Sequence, residues 1–106
     1  MTNLIMAIVA AIIIVENSPT ETGACGGVGV TQITEICYRE YVRLGGKLPQ
    51  EARHNPMLNK QMAHHVITER VRRSGVMESD VVAYVAWLWN SGDREYAIKL
   101  KRPMEA

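Results

Sequence analysis

Apolar and polar positions divide this chain into blocks of unequal character. Residues 4–15 form an almost unbroken apolar run that ends on Glu16. A segment apolar on every side belongs in the middle of a core, so the run predicts a buried first helix. Residues 17–30 carry Pro19 and the glycines Gly23, Gly26, Gly27 and Gly29, the punctuation of a loop or a short hairpin. A second helix is predicted over residues 35–44, with Thr34 as its N-cap and Gly45 just beyond its end. After a polar connection, 46–54, Asn55 and Pro56 announce a third helix as cap and first residue. Its inward stripe should be Leu58, Met62, Val66 or Ile67, and Val71, spaced at three and four residues and closed by Gly75. A fourth helix begins near Ser79 or Asp80, carries Val82, Val85, Ala86 and Trp89, and stops before Gly92. Asp93 then starts a shorter helical segment. No strand-like alternation persists long enough to predict a sheet, and no repeat is visible, so the expected class is mainly helical.

Length and composition narrow this picture. At 106 residues the chain is one domain, 1–106, and 47% hydrophobic with 22% charged residues is ordinary for a soluble globular protein. Twelve basic against eleven acidic residues leave a formal charge of +1, which gives no field for broad nucleic-acid binding. The apolar run is too short to span a bilayer and lacks the Lys or Arg expected before a signal-peptide core, so neither stable membrane insertion nor a cleaved leader is expected. Cys25 and Cys37 form no metal-binding pair; they are either one bridge or two buried thiols. His64 and His65 are adjacent and so point apart on a helix, and His54 lies in a loop, which argues against a metal site. Arg70, Arg72 and Arg73 read as a solvated helix end, and the basic segment 99–103 as a disordered tail able to meet an anionic surface. The glycine loop is no phosphate cradle, because Val30, Thr31 and Gln32 follow its last glycine in place of Lys and Ser or Thr.

Three features carry chemistry together: an acid ending an apolar helix (Val15-Glu16-Asn17-Ser18), the segment Gly29-Val30-Thr31-Gln32-Ile33, and a late Leu88-Trp89-Asn90-Ser91-Gly92. In this order and spacing they resemble the lytic transglycosylase and goose-type lysozyme superfamily. Its motifs are a helix-terminal Glu usually followed by Ser, a Gly-apolar-apolar-Gln-Leu/Ile segment, and a later Ala-Tyr-Asn-Ala-Gly. Asn55-Pro56 opening a helix also fits the family's layout. The resemblance extends from about Leu4 to Tyr96. The chain departs from it in having Asn17 in place of Ser and Trp89 in place of Tyr, and in its short length. It implies a minimal lysozyme-like (α+β) fold with little or no β-sheet. It also implies a metal-independent, cofactor-free enzyme that cleaves the β-1,4 bond between N-acetylmuramic acid and N-acetylglucosamine in peptidoglycan glycan strands.

The residue types suit that reaction. Glycoside cleavage needs a carboxylic acid that keeps its proton until the leaving oxygen takes it, and apolar surroundings favour the neutral acid. The resemblance assigns Glu16 as general acid and base. The amides of Gln32 and Asn90 both donate and accept, as sugar hydroxyls and N-acetyl groups require; capping of nearby backbone is their alternative use. By resemblance Gln32 lines the saccharide cleft, Asn90 positions sugar near the acid, and Tyr96 matches a cleft tyrosine of some relatives. Trp87 and Trp89 cannot share a helical face, so one belongs to the core, and Trp89 is the expected stacking platform. A hydrolase would need a second carboxylate, for which Glu21 and Glu35 are weak candidates. A single Glu acting as acid and then base would instead give 1,6-anhydro ends. A saccharide-binding or protein-interaction module without turnover is the alternative outside enzymes. Cleavage after the first helix would discard Glu16. The expected route to the cell wall or periplasm is therefore a lysis pore, a phage particle or a secretion apparatus.

Overall fold

The computed structural model describes residues 1–16 and 26–106. It is mainly helical, with helices α1 (Thr2–Val15), α2 (Glu35–Arg43), α3 (Pro56–Ser74), α4 (Val81–Asn90) and α5 (Tyr96–Glu105). Two 3₁₀ turns, Gln50–His54 and Glu78–Asp80, lead into α3 and α4. The described residues contain no strand; a single antiparallel bridge joins Val28 to Ile33.

Local chemistry sets the helix boundaries. Thr34 accepts a hydrogen bond from the Cys37 N–H at the start of α2, and Asn55 does the same for the Leu58 N–H at the start of α3. Each satisfies one of the donors that a helix N-terminus leaves open. Gly75 ends α3 in the left-handed conformation, where a side chain would be strained. Helix α1 has no side-chain cap at its start, no acidic residue in its first turn and no basic residue in its last. Its stability comes from burial, with Ile5, Ile8, Val9, Ala11 and Ile12 all inside.

Two apolar clusters form the interior. The larger joins α1 to the second half of α3, to α4 and to α5, and includes Ile8, Ile12, Ile67, Val85, Tyr96 and Leu100. The smaller gathers Ile33, Tyr41, Leu44, Ala52, Met62 and Val66 between α2, α3 and the first 3₁₀ turn. Trp89 packs against both.

Several expectations change here. The inward stripe of α3 holds at Met62, Val66, Ile67 and Val71, but Leu58 is only half-buried, and Asn59 is fully buried instead. On α4 the buried positions are Val81, Val85 and Ala86, with Val82 at the margin. Segment 99–103 is no disordered tail: it lies within α5, because Tyr96 and Leu100 one turn apart bury against α1 and α4 and draw the basic residues into the helix. Its Pro103 sits in the last turn, where the missing N–H costs one hydrogen bond at a fraying end. Asp93 precedes this helix and caps its approach, accepting a hydrogen bond from the Glu95 N–H.

Arg70 is not a solvated charge either. It donates to Glu40 at 3.0 Å and to the Tyr84 hydroxyl at 3.4 Å, which ties α2, α3 and α4 together. Arg72 and Arg73 pair with Glu69 on the surface.

Candidate functional site

Glu16 follows the last residue of α1, and its N–H closes the final turn on the Ile12 carbonyl at 2.8 Å. Its side chain is half-buried. The hydroxyl of Tyr96, 80 residues later, donates to Glu16 Oε1 at 3.0 Å. Tyr96 is itself 1% exposed, and burial together with the neighbouring carboxylate pushes its ionisation well above the ordinary tyrosine range. The phenol therefore stays a donor, and it orients one carboxyl oxygen of Glu16. Asn17, Glu21, Gly23 and Cys25 lie outside the described residues.

The segment around Gln32 is built with equal specificity. Val28 and Ile33 exchange backbone hydrogen bonds at 3.0 and 2.9 Å, closing a loop over 29–32. Gly29 has φ +77°, and a Cβ there would lie 2.3 Å from both the Arg53 carbonyl oxygen and the Asn59 amide nitrogen. Only glycine allows that approach. Gln32 has φ +56°. A non-glycine residue in this region is strained, and strain of this kind concentrates where a particular side chain is needed. The Gln32 amide donates to the Gly29 carbonyl at 2.9 Å.

Beneath the loop lies Asn59, which the sequence reading passed over. Its Oδ1 accepts from the Thr31 N–H and the Thr31 hydroxyl, and its Nδ2 donates to the carbonyls of Val28 and Arg53 at 2.8 and 2.9 Å. Arg53, also buried, donates to the Ile33 carbonyl at 3.1 Å. The available signal for Asn59 was an amide placed three residues before Met62 on an otherwise apolar face. A polar residue at a core position needs full hydrogen bonding, and here it has it.

Gln32 and Trp89 share the wall of a cavity of about 230 Å³ between α2, α3 and α4. Cys37, Val66 and Leu88 also line it, and the Glu40–Arg70 pair lies at its edge. The indole N–H of Trp89 donates to the Thr31 carbonyl at 2.8 Å, so this ring is half-buried and fixed, while Trp87 is the exposed tryptophan. Cys37 carries a free thiol that burial, with help from Glu40, pushes up to about 12. Hydrogen bonds from Arg43 and Arg70 hold the Glu40 carboxyl down at about 2, so it stays ionised and has no proton to donate at neutral pH. Glu35 is exposed and paired with Arg39 on α2, a surface role.

Two pairs of predicted site residues are therefore brought together, Glu16 with Tyr96 and Gln32 with Trp89. Asn90, the last residue of α4, is exposed and lines a different depression beside Trp87, Asp93 and Arg94. Among the described residues no group of three His, Cys, Asp or Glu side chains could hold a metal ion, and no helix is long and apolar enough to cross a membrane. Compared with known protein families, curated proteins and solved structures, the chain finds no match.

Proposed function

We propose that this protein is a glycan-cleaving enzyme of lysozyme-like design, acting on the β-1,4 bond between N-acetylmuramic acid and N-acetylglucosamine. The observation that carries the reading is the contact between Glu16, at the end of a buried apolar helix, and the buried hydroxyl of Tyr96. In this reading Tyr96 fixes Oε1 and leaves Oε2 to meet the glycosidic oxygen. Protonated Glu16 gives its proton to that oxygen as the C1–O bond breaks. The resulting carboxylate then takes the proton of the muramyl 6-hydroxyl as that oxygen bonds to C1, leaving a 1,6-anhydro end. One carboxyl group thus serves both steps, in keeping with Glu35 and Glu40 being committed to ion pairs. The cavity flanked by Gln32 and Trp89 would hold sugar rings of the strand.

Turbidity loss of purified cell wall tests the reading. Wild-type chain should clear the suspension and Glu16→Gln should lose roughly 10²- to 10⁴-fold in rate, the usual worth of a general acid. No clearance, or clearance unchanged in Glu16→Gln, would overturn it. Mass spectrometry of released muropeptides separates the two enzymatic routes, since hydrated reducing ends in place of anhydro ends would mean hydrolysis. A second reading, saccharide binding without turnover, is favoured by one observation: Asn90 faces a depression other than the cavity that Gln32 and Trp89 line. Retention on insoluble peptidoglycan with no soluble product would select it.

A further inference from the structure

Helix α4 carries its two tryptophans on opposite faces. Two residues of helix separate them by about 200°, so while Trp89 packs inward, Trp87 projects outward and is 60% exposed. The outward face is not a bare apolar patch. Tyr84 lies one turn before Trp87, its ring tilted 33° with centroids 6.2 Å apart, and the two form an aromatic ledge. Beside it, between α4 and α5, a depression of about 250 Å³ is lined on its apolar side by Trp87 and the small side chains of Ala83, Ala86 and Ala97. Its polar lining is Asn90, Ser91, Asp93 and Arg94.

Of the eight arginines, six are committed: Arg39, Arg43, Arg53, Arg70, Arg72 and Arg73 all hold carboxylates or carbonyls. Arg94 and Arg102 have no carboxylate or carbonyl partner among the described residues, and the side chains of Asn90, Ser91 and Trp87 likewise make no hydrogen bond there. Asp93 is set in place by Lys99 and by the Glu95 N–H, which keep its carboxyl ionised as an acceptor. A flat aromatic face, an amide, a hydroxyl and a fixed carboxylate match the apolar face and hydroxyl edge of a pyranose. The Arg94 guanidinium beside them, without a carboxylate among the described residues, matches a carboxylate of the ligand.

We propose that the depression between α4 and α5 is a saccharide-binding site separate from the Gln32–Trp89 cavity. Trp87 is its stacking platform, and the ligand is an N-acetylated hexosamine strand whose carboxylate-bearing residues meet Arg94. The choice of ligand rests on the glycan reading above, but the site needs no turnover. Such a site would hold one part of an insoluble strand while another part occupies the cavity on the opposite face of the helix.

The test is an NMR titration of ¹⁵N-labelled Glu16→Gln chain, in which the ligand survives, with tetra-N-acetylchitotetraose and with a muramic-acid-containing tetrasaccharide. The indole N–H of Trp87 and the side-chain amide of Asn90 should shift with one common saturation curve. Trp87→Ala, a surface change, should keep the thermal midpoint and weaken that curve about tenfold. The muramic ligand should bind more tightly than the neutral one, and Arg94→Gln should erase the difference. Absence of shifts at Trp87, equal affinity in Trp87→Ala, or Trp87 shifts that follow protein concentration without sugar would each overturn the site, the last in favour of self-association. Lysis that depends on Glu16 with no Trp87 response breaks only this inference; a Trp87 response without lysis breaks only the catalytic reading.

Discussion

The two clusters of the interior are held by different physics. Around α1 and α5 the contacts are mostly aliphatic, and among the described residues the side-chain hydrogen bond that links the end of α1 to α5 is Tyr96 to Glu16 at the edge. Around α2 and the start of α3, apolar packing is interleaved with buried polar groups that each have a designated partner. Asn59 serves four backbone or side-chain groups, Arg53 reaches the Ile33 carbonyl, and the Tyr41 hydroxyl accepts from the N–H groups of Lys47 and Leu48. The aliphatic half gains its stability from area and tolerates changes of shape that conserve volume. The polar half is specified by individual atoms, since a lost partner leaves a buried group unsatisfied. Glu16 stands on the first kind of support and Gln32 on the second.

The largest effect should come from the aliphatic half. Ile12→Ala removes a fully buried side chain from the last turn of α1 and should cost about 4 kcal/mol, read as a lower urea midpoint with an unchanged slope. A cost under about 1 kcal/mol would mean that α1 is not the core helix described here. Asn59→Leu should come next, at about 3 kcal/mol, because the Thr31 N–H and the carbonyls of Val28 and Arg53 lose their partner. Its signature should be local: hydrogen exchange at the amides of Val28 and Ile33 should accelerate more than at Ile8. Equal acceleration at both would erase the distinction between the halves.

Smaller effects sharpen the comparison at the surface of the polar half. Glu40 ionises at about 2 in the folded chain against an ordinary value of 4.5, so its pairing stabilises fully above 4.5 and is lost as pH falls toward 2. Arg70→Gln should therefore lower the thermal midpoint at pH 7, by the equivalent of about 1 kcal/mol, and much less at pH 2. A difference independent of pH would show that Arg70 acts through packing on Tyr84 alone. Last, the neutral Cys37 thiol should alkylate with iodoacetamide at pH 8 at least about tenfold more slowly than in the unfolded chain, measured on its own peptide by mass spectrometry.

Local signals were sufficient for most of the helical frame. Thr34, Asn55-Pro56 and Gly75 each act on the few residues beside them, and the structure uses all of them as boundaries. The apolar run 4–15 reads as buried on every side, and only one face of it is: Ile5, Ile8, Val9, Ala11 and Ile12 lie inside, while Met6 and Ile14 stay exposed because no other described element packs over them. Hydrophobic spacing placed Met62, Val66, Ile67, Val71, Val85 and Ala86 inside.

Other features depend on partners distant in sequence. Whether Arg70 is a solvated charge or a tie between three helices depends on Glu40 and Tyr84 arriving beside it, and residues 99–103 become helix only because Leu100 finds α1. The same holds for the candidate site. Sequence order named Glu16, Gln32, Trp89, Asn90 and Tyr96, but it carries no distances. Tertiary packing joined Tyr96 to Glu16 across 80 residues, seated Trp89 against the Thr31 carbonyl, and turned Asn90 outward to stand with Trp87 and Arg94. Spacing along a helix fixes which residues share a face; which face meets which neighbour is decided by how the buried surfaces of all the helices fit together.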